Sequence, residues 1–408
     1  ALQLRLNHLQ IIYYTLIILI FYGISQLIYF YKKDELKHFF NRVFVLIIAS
    51  FLAIGTFFGE IWSILEYSKY SIRGQSDLIA ENSGLSKEYA FQYSNGVYEP
   101  LTLFFPHILG GSSRESLSKN SNLGRELKRN NFNRDQINKQ LRNAPMYWGD
   151  QPITAPYYAG ALFLFLFILS IIILKPHEKY WLIGLLTSSV LLSMGSNFAL
   201  LNEFIFDYLP GYNKFRSLTF IIIISIFSII LIGLLTLEKF ISNKEKYKKQ
   251  FTEATLYTLG IYLFLYITSF FLSFSGPVDS NFSNIPDWFL NALINDRKAL
   301  YVNDIIKGVI MLVTFSFFTY LFIYNKIKKY LYYSIIIIIG IYDMTSANKN
   351  FLKNDNCNLF NDCSFTRKKI NTVNISAADE FILENNSQRK RVLNLQNTFN
   401  ESNTSYYH

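Results

Sequence analysis

Runs of apolar residues joined by short polar connections dominate this chain, and they leave few folds open. The runs cover residues 9–31, 43–59, 153–174, 180–201, 217–237, 254–275, 308–324 and 331–347. A bilayer core takes roughly 20 mostly apolar residues as helix. The runs at 9–31, 153–174, 180–201, 217–237 and 254–275 meet that length. Those at 43–59 and 308–324 are shorter, and flanking Arg42 and Lys307 extend them by snorkelling. The last run reaches a full span only if Asp343 sits at or near the outer interface. Only helices satisfy their own backbone inside such runs. The reading is an all-α membrane protein of about eight spans.

The connections alternate in charge. Lys32 to Arg42, Lys175 to Lys179, Glu238 to Gln250 and Asn325 to Lys329 carry +2, +1, +3 and +3, against a formal +10 for the whole chain. The short connections between them, Asn202 to Arg216 and Gly276 to Asp304, carry 0 and −2. Short basic loops stay on the cytoplasmic side. Every long polar segment is therefore expected on the outer face of the membrane. The expected organisation is a membrane domain over 1–347 with an outer loop at 60–152. Residues 348–408 would begin an outer-face soluble domain with a strand at Lys390 to Leu395.

The same charge pattern excludes nucleic acid as a partner, because these cations lie between spans beside anionic lipid rather than clustered on a folded polar surface. The lipid bilayer is the implied partner. The first run is too long for a signal peptide, and no small-residue cleavage site follows it before Lys32. The chain starts at Ala1 directly before a span and reads as an internal fragment of a longer protein. Abundant Ile, Asn and Lys suit an AT-rich bacterial genome. Cys357 and Cys363 leave two readings open, a pair across a small loop or two unpaired thiols in a mobile segment.

On the outer face, Ile61 to Tyr70 has the spacing of a helix lying on the membrane. Glu99 to Ile108, apolar between two prolines, is expected to dip into the interface. Ser112 to Asn143 shows no apolar period and reads as a mobile loop, or one that orders over a substrate. Tyr147-Trp148-Gly149-Asp150-Gln151-Pro152 is an aromatic anchor followed by a tight turn presenting a carboxylate and an amide. Lys214 and Arg216 lie at the outer mouth of a span, where a cation needs a partner. They either pair with Glu203, Asp207 or lipid phosphate, or form an anion clamp. Arg73 is a further candidate cation. Met194-Gly195-Ser196-Asn197 suits close helix packing. His8 and His107 are single outer-face histidines. The chain has no zinc spacing, Walker loop, dinucleotide turn or nucleophile elbow. No span is expected to bury a mid-membrane charge, which argues against a proton-coupled transporter, and no inverted repeat is visible.

Taken in order, several motifs resemble the YfhO-like family of bacterial multi-pass membrane proteins in its Bacteroidetes version. They are Leu4-Arg5-Leu6-Asn7-His8 before Tyr13-Tyr14, Glu66 to Gly74, Gly84 to Ala90 and Gly110-Gly111-Ser112-Ser113. Tyr147 to Pro152, Tyr212-Asn213-Lys214-Phe215-Arg216, Arg391 to Leu395 and Thr398-Phe399-Asn400 continue the series. That family is thought to resemble the GT-C glycosyltransferases, polytopic enzymes that take sugars from polyprenyl-phosphate donors on the outer face. The resemblance implies a catalytic carboxylate upstream of Ala1. It also admits a divalent cation as cofactor, since some GT-C enzymes use one, although no ligand cluster is visible in this chain.

The expected function is transfer of a sugar from a polyprenyl-phosphate donor to an envelope glycan or lipid acceptor. Lys214 and Arg216, with Asn213 beside them and Arg73 in support, would hold the lipid phosphate. Asp150 and Gln151 would orient hydroxyls, and Tyr147 and Trp148 would offer a flat face to a sugar ring or isoprenoid. Two alternatives stand beside it: a flippase or exporter of an envelope lipid or polysaccharide, and a non-catalytic scaffold for envelope assembly.

Overall fold

The computed structural model describes residues 1–68, 70, 85–151, 154–282, 285–351 and 377–385. Among these no strand forms, and the isolated bridges Gly110 to Tyr147 and Glu115 to Ala144 are contacts between loops. The chain divides into two compact units, Ala1–Leu352 and Lys353–His408. In the second, the described residues form one helix, Ala377–Asn385. The expected strand at 390–395 and both cysteines lie outside the described residues.

The first unit opens with the single turn α1 (Leu2–Arg5), then α2 (Leu9–Tyr31), α3 (Leu36–Gly55) and α4 (Phe58–Ser68). The long connection holds α5 (Lys87–Ala90), α6 (Asn122–Arg129) and α7 (Arg134–Arg142). There follow α8 (Ala161–Ile173), α9 (Pro176–Ser193), α10 (Ala199–Tyr208), α11 (Ile222–Ser242), α12 (Lys248–Thr268), α13 (Asp287–Ile323) and α14 (Lys329–Phe351).

Among the described residues, Leu9–Tyr31, Leu36–Gly55, Leu218–Ser242, Asp287–Ile323 and Lys329–Lys349 are long and apolar enough to cross a membrane. The pair Pro176–Ser193 and Gly195–Tyr208 would make a sixth if it is one broken span. The protein is an all-α, multi-pass membrane protein. α3 shows why in physical terms. None of its residues is buried, although Phe44, Val45, Ile47, Phe51 and Leu52 all stand exposed along it. Such a surface is stable only against an apolar solvent.

The remaining expected runs fold differently, each for a local reason. The run at 153–174 yields a helix of only 13 residues, because Pro156 and Gly160 hold residues 154–160 in a non-helical approach. Gly160 has φ +122, a conformation that side chains rarely adopt. The run at 180–201 stops at Gly195, φ +47, and the chain turns through 114° into α10. A Cβ at Gly195 would strike the Ser94 side chain, so the bend also seats the long connection. The run at 254–275 shifts to Lys248–Thr268, where Glu253 and interleaved Thr and Tyr dilute its apolar character.

Helix contacts run in a series: α3 on α2, α2 on α9, α9 on α11, α11 on α8, and α8 on both α12 and α13, with α14 against α13. Short polar links join neighbours, including Ser189 to Ser225 (2.6 Å), Thr252 to Tyr320 (2.9 Å) and Thr319 to Tyr332 (2.9 Å). In lipid these supply part of the attraction that water would otherwise drive. The basic loops meet at one end: Lys239 pairs with Glu178 (2.6 Å), Lys244 donates to Phe322 O and Asn325 Oδ1, and Lys248 donates to the Tyr324 hydroxyl. The long connections gather at the other, which we term the polar end.

At 37 residues, α13 is roughly 55 Å long, well beyond the ~30 Å of a bilayer core. Its first half belongs to the polar end, and its apolar half begins near Gly308. At that boundary lies a buried ionic cluster. Asp343 of α14 accepts hydrogen bonds from the Tyr158 hydroxyl (2.7 Å), the Ala161 amide (2.8 Å) and Lys307 Nζ (3.1 Å). It is the cap that Gly160 cannot give α8, because the first amides of a helix need an acceptor. Beside it, Asp304 faces the His107 ring (3.4 Å). One sequence expectation changes here: Lys307 is paired rather than snorkelling freely. The buried carboxylates lie at the boundary with the polar end, where Asp343 is expected from the sequence.

Asp343→Ala should cost about 3 kcal/mol, since it strips a buried helix terminus, the Tyr158 hydroxyl and the partly buried Lys307 of their shared partner. Lys307→Met should cost less, because Asp343 keeps Tyr158 and the Ala161 amide. Denaturant unfolding of the two variants in detergent measures the difference.

Candidate functional site

The polar end is held by the first half of α13. Asp296 accepts from the amides of Asn122 (2.8 Å) and Leu123 (2.9 Å) and so caps α6. Arg297 is fully buried and forms a two-pronged pair with Asp279 (2.7 and 2.8 Å), also donating to Phe274 O and Pro145 O. Burial alone would raise the Asp279 carboxyl, but hydrogen bonds from Arg297 and the Gly276 amide outweigh it and hold the group below its ordinary value.

The stretch 112–143 therefore orders into α6 and α7 rather than forming a mobile loop. Leu123 and Leu127, and Ile137 and Leu141, are buried at helical spacing and pack with Phe289, Ala292 and Leu293 of α13. Each pair is an i, i+4 signal hidden in a charged background. The expected interfacial dip at 99–108 begins as a 3₁₀ turn, Glu99–Leu103, with Leu103, Phe105 and Ile108 buried inside the protein.

The turn after α7 centres on Glu99, which sequence reasoning passed over. Glu99 is 4 % exposed, and one carboxylate oxygen accepts from the Tyr147 hydroxyl (2.6 Å) and the Asp150 amide (2.8 Å). The Tyr147 hydroxyl in turn accepts from the Gln151 amide (3.0 Å), and Gln151 Nε2 donates to Asn95 Oδ1. Burial first, then the Glu99 carboxylate, pushes the Tyr147 hydroxyl far above its usual range, so it stays a donor at any physiological pH. Asp150 is exposed, and its Oδ2 and Glu99 Oε2 both occupy the space that a Cβ on Gly96 would fill. A buried and an exposed carboxylate thus converge on one glycine.

Tyr147 is itself buried, so its ring is packed rather than presented. Trp148 is half-buried, lies edge-on to Phe274 (5.9 Å) and has its backbone against Gly276. Its Nε1 is buried with no hydrogen-bond partner among the described residues.

The cations of the 202–216 connection lie on the same segment, Leu85 to Glu99, further upstream. Arg216 stacks on Tyr89 (4.2 Å), lies 5.5 Å from the Tyr93 ring centre and donates to Gln92 Oε1 (2.9 Å). Its Nε is buried with no hydrogen-bond partner among the described residues. Burial holds the Lys214 ammonium below its ordinary value. The Asn213 carbonyl accepts the Leu85 amide (3.0 Å). Glu203 and Asp207 pair with Lys87 (3.1 and 2.8 Å) rather than with Arg216. Met194 to Asn197 also serves this segment: Ser196 N donates to Ser94 Oγ and Asn197 Nδ2 to Asn95 O. Arg73 lies outside the described residues.

One segment therefore carries Tyr89, Gln92 and Tyr93 against Arg216, and Asn95, Gly96 and Glu99 against the Tyr147 to Gln151 turn. Phosphate recognition and hydroxyl orientation are both within the chemistry of these groups. For a divalent cation, the Glu99 and Asp150 carboxylates would be the ligands. Among the described residues, no three His, Cys, Asp or Glu side chains converge to complete such a site. No protein-family model, curated protein or solved structure matches this chain.

Tyr147→Phe should destabilise the polar end by about 1–3 kcal/mol, because Glu99 and the Gln151 amide both lose a buried partner. Unfolding midpoints in detergent test it. The Asp279 contribution should be complete above pH ~4, the unfolded carboxylate value. It should be lost as pH falls through the lower folded value. A melting curve against pH should lose this acid step in Asp279→Asn.

Proposed function

We propose that this chain is a membrane glycosyltransferase of GT-C type, related to the YfhO-like family, acting on the outer face of a bacterial cytoplasmic membrane. It moves a sugar from a polyprenyl-phosphate donor to an envelope glycan or lipid. The supporting observation is that segment 85–99 joins Arg216, with its unsatisfied Nε–H, to the Glu99 and Asp150 carboxylates. Glycosyl transfer needs positive charge at the leaving phosphate and a carboxylate at the acceptor hydroxyl. In this reading Arg216 and Lys214 take the phosphate. Asp150, the exposed carboxylate, meets the acceptor, and Glu99, Tyr147 and Gln151 hold it in place. The short basic loops at the opposite end support a polar end on the outer face. In this reading residues 348–408 begin an outer-face soluble domain.

A second reading has its own support. The carboxylates of Asp304 and Asp343, with the partly exposed Lys307, lie at the start of the apolar half of α13 and are the kind of groups that line transport paths. An exporter or flippase of an envelope lipid would use them.

The test follows label from radiolabelled polyprenyl-phosphate sugars into a bacterial lipid extract, using the full-length protein in proteoliposomes. Arg216→Lys should slow transfer by about 100-fold while leaving the melting temperature unchanged, because Lys lacks the planar fork. Transfer at the wild-type rate in that variant would remove Arg216 from the site. Donor crossing the bilayer with no new glycosidic product would establish the transport reading instead.

A further inference from the structure

A second polar site lies at the polar end and shares no residue with the Glu99 and Asp150 pair. Between α6 and the start of α13 is an open cleft of about 600 Å³, whose polar and aromatic lining is Asn122, Arg125, Glu126, Arg129, Trp288, Asn291 and Asn295. That volume is within the roughly 300–1,000 Å³ of small-molecule sites.

The cleft is built rather than incidental. Asn122 is fixed by donating to Asp296 (2.9 Å), and its Oδ1 accepts from Arg125 Nη2 (2.7 Å), which aims that guanidinium. Glu126 holds Arg129 (3.0 Å). Trp288 is half-buried and braced edge-on by Phe132 (6.0 Å) and Phe289 (5.9 Å), so its ring is set before any ligand arrives. Asn291 and Asn295 are exposed and one helical turn apart on α13. Their amides each present a donor and an acceptor to the same side.

The surrounding surface is cationic. From Lys119 to Arg142 there are seven Lys or Arg and two Asp or Glu, and all seven cations are exposed. The inside-positive bias does not govern so long a loop, so this charge is free to serve a ligand. A braced indole, paired amides and two guanidiniums against a single carboxylate, Glu126 on Arg129, match one chemistry: a sugar ring stacked on the indole, hydroxyls on the amides, and a carboxylate or phosphate on Arg125 with Arg129 beside it.

We propose that this cleft binds an acidic oligosaccharide. The proposal rests on the glycosyltransferase reading only for the role of that chain as acceptor; binding itself is measured without transfer.

The test uses the full-length protein in nanodiscs, titrated with a hexamer of galacturonic acid, with neutral maltohexaose as control and binding followed by calorimetry. The acidic hexamer should bind at least about tenfold more tightly than the neutral one. Arg125→Gln with Arg129→Gln should weaken it at least tenfold. Trp288→Ala should do the same, and Trp288→Phe should largely retain binding. Lys128→Gln with Lys139→Gln, which removes two charges outside the cleft, should change affinity less than threefold. Equal losses in the two double variants would overturn the proposal in favour of diffuse charge attraction. So would equal affinity for linear polyphosphate that is insensitive to Trp288→Ala. Melting temperatures of all variants separate lost binding from lost folding. Binding without transfer would leave this site intact and count against the transferase reading alone.

Discussion

The polar end of this protein depends on one helix being longer than a membrane. α13 carries its apolar half among the other spans and pushes its first half past them. That first half supplies the fixed points: Asp296 caps α6, and Arg297 ties Asp279, Phe274 and Pro145 together. A fully buried guanidinium is costly unless it is paired, and here four bonds to two carbonyls and one carboxylate meet its two terminal nitrogens, while Nε is buried with no hydrogen-bond partner among the described residues. The turn at 147–151 and helices α6 and α7 are then held against a rigid rod. Both candidate sites inherit their geometry from it.

A second constraint acts where the apolar half begins. α8 is short, central and capped by a side chain from another helix. Its amide terminus needed an acceptor in a place water does not reach, and Asp343 supplies it. Once a carboxylate is buried there, Lys307 and Tyr158 follow as partners, and Asp304 with His107 lies beside them. The cluster is thus explained first as structure. The same groups would also give an exporter what it needs, which is why transport stands as the second reading of this fold.

Much of the membrane architecture is legible in the sequence. The run at 9–31 coincides with α2, and the charged loops at 238–250 and 325–329 meet at one end. These succeed because bilayer thickness and backbone satisfaction act on local composition. The errors occur where a non-local contact decided the outcome. Pro156 and Gly160 shortened α8, Gly195 bent the chain onto Ser94, and α13 absorbed a segment that looks like a loop. The ordering of 112–143 was hidden because two apolar residues per helix suffice once α13 provides the opposing face. Of the site residues, Asp150, Gln151 and Arg216 were visible as polar groups beside spans. Glu99, Asn95, Tyr89 and Gln92 were not, because nothing local distinguishes them from other loop residues.

The sequence by itself determined that this is an all-α, multi-pass membrane protein whose basic loops segregate from its long ones. Apolar run length and short-loop charge are properties of single segments, read by the bilayer without reference to the rest of the chain. Only the tertiary structure decided which polar residues meet. Carboxylates from 99 and 150 converge on Gly96, an arginine at 216 stacks on tyrosines at 89 and 93, and a cleft opens between helices about 170 residues apart in sequence. Those encounters depend on the direction of α13 and the bend at Gly195, and no segment carries that information alone.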